Sequence, residues 1–101
     1  MKDPLQPSRC AEMLAALAAP ERLRIVRFLR AGPRNVTEIA DLLEVPSVNA
    51  SHHLTKLRDV GLIQSRKEGR CVVYSLAPDI LTDGHLDLGC CRLEIPGADV
   101  A

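Results

Sequence analysis

Aromatic residues are nearly missing from this chain of 101 residues: Phe28 and Tyr74 are the whole complement. A core must therefore come from Leu, Ile, Val and Ala, within a hydrophobic fraction of 47%. Long apolar runs are missing as well. The longest, Met13 to Ala19, is far shorter than the roughly 20 residues that cross a bilayer, so no membrane partner is expected. Lys2, Asp3 and Pro4 open the chain without an apolar stretch behind them. No secretory signal is visible there, and a cytoplasmic protein is expected. An excess of one charge is also missing, with 13 basic and 13 acidic residues. No Gly-rich phosphate loop, paired catalytic carboxylates or nucleophile–base pattern appears, so an enzyme is set aside. The length suits one domain, residues 1–101.

What is present is unevenly placed. Residues 1–76 carry 12 Lys/Arg against 8 Asp/Glu, while residues 77–101 carry Arg92 against Asp79, Asp83, Asp87, Glu94 and Asp99. A basic body with an acidic tail can attract phosphate. Four cysteines, Cys10, Cys71, Cys90 and Cys91, are expected as thiols in a reducing compartment, open to metal, redox chemistry or packing. Cys90 and Cys91 are adjacent, with α-carbons about 3.8 Å apart, below the usual disulfide range.

The helical period starts near Ser8, a candidate N-cap, with Cys10, Met13, Leu14 and Leu17 in step. Pro20 suits the first position of a second helix, whose apolar face holds Leu23, Ile25, Val26, Phe28 and Leu29. Gly32 and Pro33 end it. Asn35 and Glu38 have capping-box spacing ahead of a short helix over residues 36–43, which stops before Pro46. Ser47 is read as the cap of a further helix with Ala50, Leu54 and Leu57 apolar, ended by Gly61. Two helices joined by a tight turn over 36–60 make a helix-turn-helix. A strand from Leu62 to Arg66, a turn over Lys67–Arg70 and a strand from Cys71 to Leu76 then form a hairpin wing over 62–76. In the second strand Val72, Tyr74 and Leu76 alternate with Cys71, Val73 and Ser75. The pattern then decays. Residues 78–83 read as one short helix, and Arg92 to Ile95 as a short strand ended by Pro96 and Gly97. The fold class is α+β, mostly α: a winged helix-turn-helix with a two-stranded wing and a short, irregular, Cys-containing tail over 84–101.

The run Ser47-Val48-Asn49-Ala50-Ser51-His52-His53-Leu54-Thr55-Lys56-Leu57-Arg58 continues through Gly61-Leu62-Ile63 to Arg66-Lys67-Glu68-Gly69-Arg70. With Ala18-Ala19-Pro20-Glu21-Arg22-Leu23 upstream, it resembles the arsenic-repressor (ArsR) family of winged-helix regulators across roughly residues 10–77. The resemblance implies a transcriptional repressor: a homodimer on double-stranded, palindromic operator DNA, released by an inducer that is often a metal ion. Two features depart from the family pattern. The helix over 36–43 lacks the Cys-x-Cys pair that many members carry there. Asp83-Gly84-His85 mimics an Asp-x-His metal motif, but no His-x-x-Glu follows and glycines interrupt the usual long terminal helix.

A recognition helix needs short polar side chains near its N-terminus. Ser47, Asn49 and Ser51 are candidates, with Asn49 suited to the adenine edge, and His52 and Lys56 share a helical face. Arg66, Lys67 and Arg70 at the wing are candidates for phosphate or minor-groove contact. His52 and His53 point about 100° apart and so cannot share one ion; one faces DNA and the other packs against the domain. Among the thiols, Cys90 and Cys91 with Cys10 as third ligand, contributed by a partner subunit, match the vicinal-pair arsenic sites of some family members. Three thiolates suit arsenite or antimonite, and four suit zinc or cadmium. The alternatives are redox sensing, a regulator without ligand, plain packing of the cysteines, and a winged-helix protein-interaction module. No cofactor is expected to be required for DNA binding.

Overall fold

The computed structural model describes residues 7–95. Four helices come first: α1 (Pro7–Leu17), α2 (Pro20–Leu29), α3 (Val36–Leu43) and α4 (Ser47–Asp59). Strand β1 (Arg34–Asn35) sits between α2 and α3; β2 (Ile63–Glu68) and β3 (Cys71–Leu76) follow α4. The remaining strands are β4 (Leu81–Thr82), β5 (His85–Asp87) and β6 (Arg92–Leu93). One antiparallel sheet has the order β1-β3-β2 and the other β4-β5-β6.

Each helix contributes three buried side chains to one aliphatic core. They are Met13, Ala16 and Leu17 from α1, and Ile25, Val26 and Leu29 from α2. Ile39, Ala40 and Leu43 come from α3, and Ala50, Leu54 and Leu57 from α4. Both aromatic side chains stay half-buried at its margin, where the Arg34 guanidinium stacks 4.5 Å from the Phe28 centroid. Leu14, expected on the inner face of α1, is 40% exposed, and Ala16 takes its place in the core.

Both ends of α3 are set by local chemistry. The Asn35 carboxamide accepts from the Glu38 amide at 2.8 Å, and the Glu38 carboxylate accepts from the Asn35 amide at 3.0 Å, which completes the capping box. At the far end Glu44 turns the chain with a φ of 56°, and Arg24 donates to the Leu42 carbonyl at 2.9 Å. Ser47 is not a cap. Pro46 occupies that position; its ring has no acceptor to lend, and its extended backbone leads the chain into α4. Likewise α1 begins at Pro7, which leaves Ser8 inside its first turn.

The wing is tighter than its sequence suggests. Lys67 and Glu68 belong to β2, and the loop shrinks to Gly69 and Arg70, with Gly69 at a φ of 61° in the first central position of a two-residue turn. β1 adds a third strand, pairing Arg34 with Tyr74 and Asn35 with Val73. The exposure of β3 does not alternate cleanly, because β1 covers part of it: Cys71 and Val72 are exposed and Val73 through Leu76 half-buried.

The tail differs most from expectation. Residues 78–83 form no helix; they turn into β4. Asp83 and Gly84, at φ of 50° and 85°, make a two-residue turn that pairs Thr82 with His85. Asp83-Gly84-His85 is thus a hairpin corner. β6 forms at Arg92–Leu93, the first half of the strand expected over Arg92 to Ile95. Pro96 and Gly97 lie outside the described residues. The meander is docked rather than loose: Ile80, Leu86 and Leu88 are buried in the shared core. Arg30, at the end of α2, donates to the Gly84 carbonyl at 2.9 Å and to the Ile95 carbonyl.

Candidate nucleic-acid interface and thiol cluster

The exposed side of α4 is defined by what its buried side excludes. Ala50, Leu54 and Leu57 are wholly buried, so Val48, His52 and Thr55 form the stripe opposite, all exposed. Asn49 is exposed beside His52, while Ser47 and Ser51 lie on the other flank, with Ser51 half-buried. Lys56 is exposed but turns toward α1, where it lines a cleft with Glu12 and Asp59. The two histidines divide as expected in packing. His53 is half-buried with its Nδ1 3.4 Å from Nη1 of Arg22, and the Nε of Arg22 donates to the Ala16 carbonyl at 2.5 Å. That link ties α4 to α2 and to the end of α1.

On the wing, Arg66, Lys67 and Arg70 are all exposed. They are not equivalent. Arg66 is bound to Glu68 through Nη2 at 2.5 Å and Nε at 2.6 Å, on one face of β2. Lys67 projects to the other face and Arg70 stands in the loop. Part of the wing's positive charge is therefore already engaged. Arg58, which sequence reasoning passed over, reaches from the end of α4 to the Ser65 hydroxyl at 3.5 Å and bridges helix and wing. Its place in the basic last turn, seven residues before a strand serine, was a weak but readable signal. Val48 was also passed over, being apolar and so outside the polar set sought for base contact.

The thiols come together at a second place. Cys10 lies on α1, and Cys90 and Cys91 lie in the turn between β5 and β6. That turn is shaped by the Leu88 amide donating to the Cys91 carbonyl at 2.9 Å and the Gly89 amide donating to the Asp87 carboxylate at 2.8 Å. The sulfurs of Cys10, Cys90 and Cys91 all lie within 4.8 Å of one another, each residue half-buried. Cys10 joins the pair from within the same chain. Cys10 and Cys90 form a disulfide, with α-carbons 6.1 Å apart and 80 positions between them in sequence. This departs from the expectation of free thiols, because docking of the meander brings the two α-carbons within disulfide reach. Cys91 stays free with its Sγ 3.8 Å from that of Cys90, and Cys71 is free and exposed on the wing.

The three sulfurs suit a soft ion once the disulfide is reduced. Two thiolates about 2.3 Å from one zinc stand roughly 3.8 Å apart in tetrahedral geometry, and the Cys90–Cys91 sulfur separation is 3.8 Å.

Four helices, the last two joined at a left-handed corner and followed by a hairpin, define a winged helix-turn-helix protein. The profile of the family described as "Helix-turn-helix domain" matches residues 17–66. The chain is 43% identical over 76 residues to the HTH-type transcriptional repressor SmtB of Mycobacterium tuberculosis, covering 75% of this chain and 56% of that protein. It is 30% identical over 102 residues to the probable mercury resistance operon repressor of Streptomyces lividans, covering 90% of this chain and 81% of that one. A solved homodimeric winged helix-turn-helix DNA-binding domain of Mycobacterium bovis, a possible ArsR-family transcriptional regulator, superposes with a TM-score of 0.67. It is 34% identical and covers 70% of this chain and 66% of that one. The chain belongs to the ArsR family of winged helix-turn-helix transcriptional regulators, a class that is not enzymatic. It spans a little over half the length of curated relatives such as SmtB. Among the described residues, no helix is long and apolar enough to cross a membrane.

Proposed function

We propose that this chain is a cytoplasmic DNA-binding repressor that acts as a homodimer on a palindromic operator. The observation that carries this reading is the uncovered N-terminal half of α4, with the wing directly behind it. Ser47, Asn49, Ser51 and His52 read base edges, and Lys67 and Arg70 engage the backbone, joined by Arg66 on exchanging Glu68 for phosphate and by Lys56 on swinging out from α1. The relatives' roles as repressors and the homodimeric relative support the same reading. An interaction module would have no need of this polar and basic set. The test is binding to the protein's own promoter over a salt series. Affinity should fall steeply with salt, and Lys67→Ala or Arg70→Ala, each lost from both subunits, should each reduce the log–log slope by about 2. A flat salt response would reject the reading.

The second half of the proposal is that Cys10, Cys90 and Cys91 sense a soft metalloid or metal ion. Arsenite or antimonite takes three thiolates as a trigonal pyramid; cadmium or zinc would need a fourth ligand. When bound, such an ion would fix the β5–β6 turn to α1. These residues hold it only as thiols, so the Cys10–Cys90 disulfide must first be reduced. Protein purified under reducing conditions should take up one arsenite or cadmium per chain, and Cys90→Ser should lose it. Equal uptake by that variant would reject the site. The disulfide favours a redox reading as well. Two thiols give two electrons and two protons to hydrogen peroxide, which leaves a disulfide and two waters.

A further inference from the structure

Val48 is the most exposed large hydrophobic residue among those described, at 62%, and nothing in the fold uses it. The core stripe of α4 is complete without it. Its helix propensity is poorer than that of Ala, Glu or Lys, so local stability does not account for it either. A single exposed aliphatic is ordinary on a protein surface. This one stands in the first turn of α4, directly between the exposed Ser47 and Asn49 and one turn before the exposed His52. The same outward stripe ends at Asp59, whose carboxylate would repel phosphate, so the helix can enter a groove only by its N-terminal half.

We infer that Val48 reads a thymine in the major groove by packing its isopropyl group on the 5-methyl group. The inference rests on the DNA-binding reading above and adds a base preference to it. The thymine methyl is the apolar feature of the major-groove edges, and apolar side chains recognise it by contact. Cytosine, guanine and adenine offer polar atoms at that edge, which a valine would desolvate without a partner. Val48 therefore selects by attraction to the methyl and by exclusion of the alternatives. Its polar neighbours Ser47 and Asn49 are left to read the adjacent positions.

The test uses the full chain under reducing conditions and a library of random duplexes. Bound duplexes should be enriched in thymine at one position of each half-site. Replacing that thymine by deoxyuridine removes a single methyl and keeps the base pair. Losing one buried methyl-sized contact should weaken wild-type binding about fourfold per half-site, and about fifteenfold when both are replaced. Val48→Ala, at an exposed position, should fold with an unchanged circular dichroism spectrum. It should bind thymine and uracil duplexes equally and lose the enrichment at that position. Equal binding of both duplexes by the wild type, or a uracil penalty that survives in Val48→Ala, overturns the inference while leaving DNA binding standing. Failure of the wild type to retain any duplex at low salt overturns the DNA-binding reading and this inference with it.

Discussion

The helix-turn-helix and the C-terminal meander are held in place by different means. α3 and α4 each bury three aliphatic side chains, and contacts close in sequence fix the start of α3, between Asn35 and Glu38, and the corner between the two helices, at Glu44. The meander has strands of two or three residues, too short to be stable alone. It buries Ile80, Leu86 and Leu88 and depends on distant anchors: Arg30 to Gly84 and Ile95, and Cys10 to Cys90. One region is fixed by packing that chemistry in the cell does not touch. The other is fastened partly through sulfur, which oxidation or a soft ion can alter. A sensor built on the second region can change state without dismantling the first.

The sharpest way to break this comparison is to remove a core leucine from each side. Leu54 and Leu86 are both 0% exposed. Each mutation to Ala should cost about 2–5 kcal/mol of unfolding free energy in urea titrations. A much smaller cost for Leu86→Ala would mean that the meander is not part of the common core. Next in size is the disulfide. It closes a loop of 80 positions, so the oxidised chain should exceed the reduced chain by about 2–4 kcal/mol. Cys10→Ser should remove that difference between oxidising and reducing buffers. The smallest contrast lies within the helix-turn-helix. Asn35→Ala removes a working cap and should cost about 1 kcal/mol. Ser47→Ala removes none and should stay within about 0.5 kcal/mol.

The same division governs what could be read beforehand. Helical period, Pro20 at a helix start, the Asn35–Glu38 box and Gly69 at the wing turn are local patterns, and each produced the element it signalled. β1 was invisible because two residues carry no period; it exists because the free edge of β3 accepts a partner. The hairpin at Asp83-Gly84 did carry a turn signature, but its strands are too short to alternate, and the histidine after it suggested a metal motif. For the candidate DNA face, the polar residues of α4 stood out, whereas Val48 matched the chemistry of a core residue. For the thiol cluster, Cys90 and Cys91 were obvious as a pair. The approach of Cys10 within one chain depends on how the meander docks, which no local pattern encodes.

In the function proposed above, sulfur chemistry in the meander controls DNA binding by the helix-turn-helix. The direct measurement is operator affinity of the fully reduced protein, by fluorescence anisotropy, with and without saturating arsenite. Coupling of the usual size would weaken binding about 5- to 150-fold, and Cys90→Ser should keep its DNA affinity and lose the response. An unchanged affinity in the wild type, or an equal response in Cys90→Ser, would contradict it.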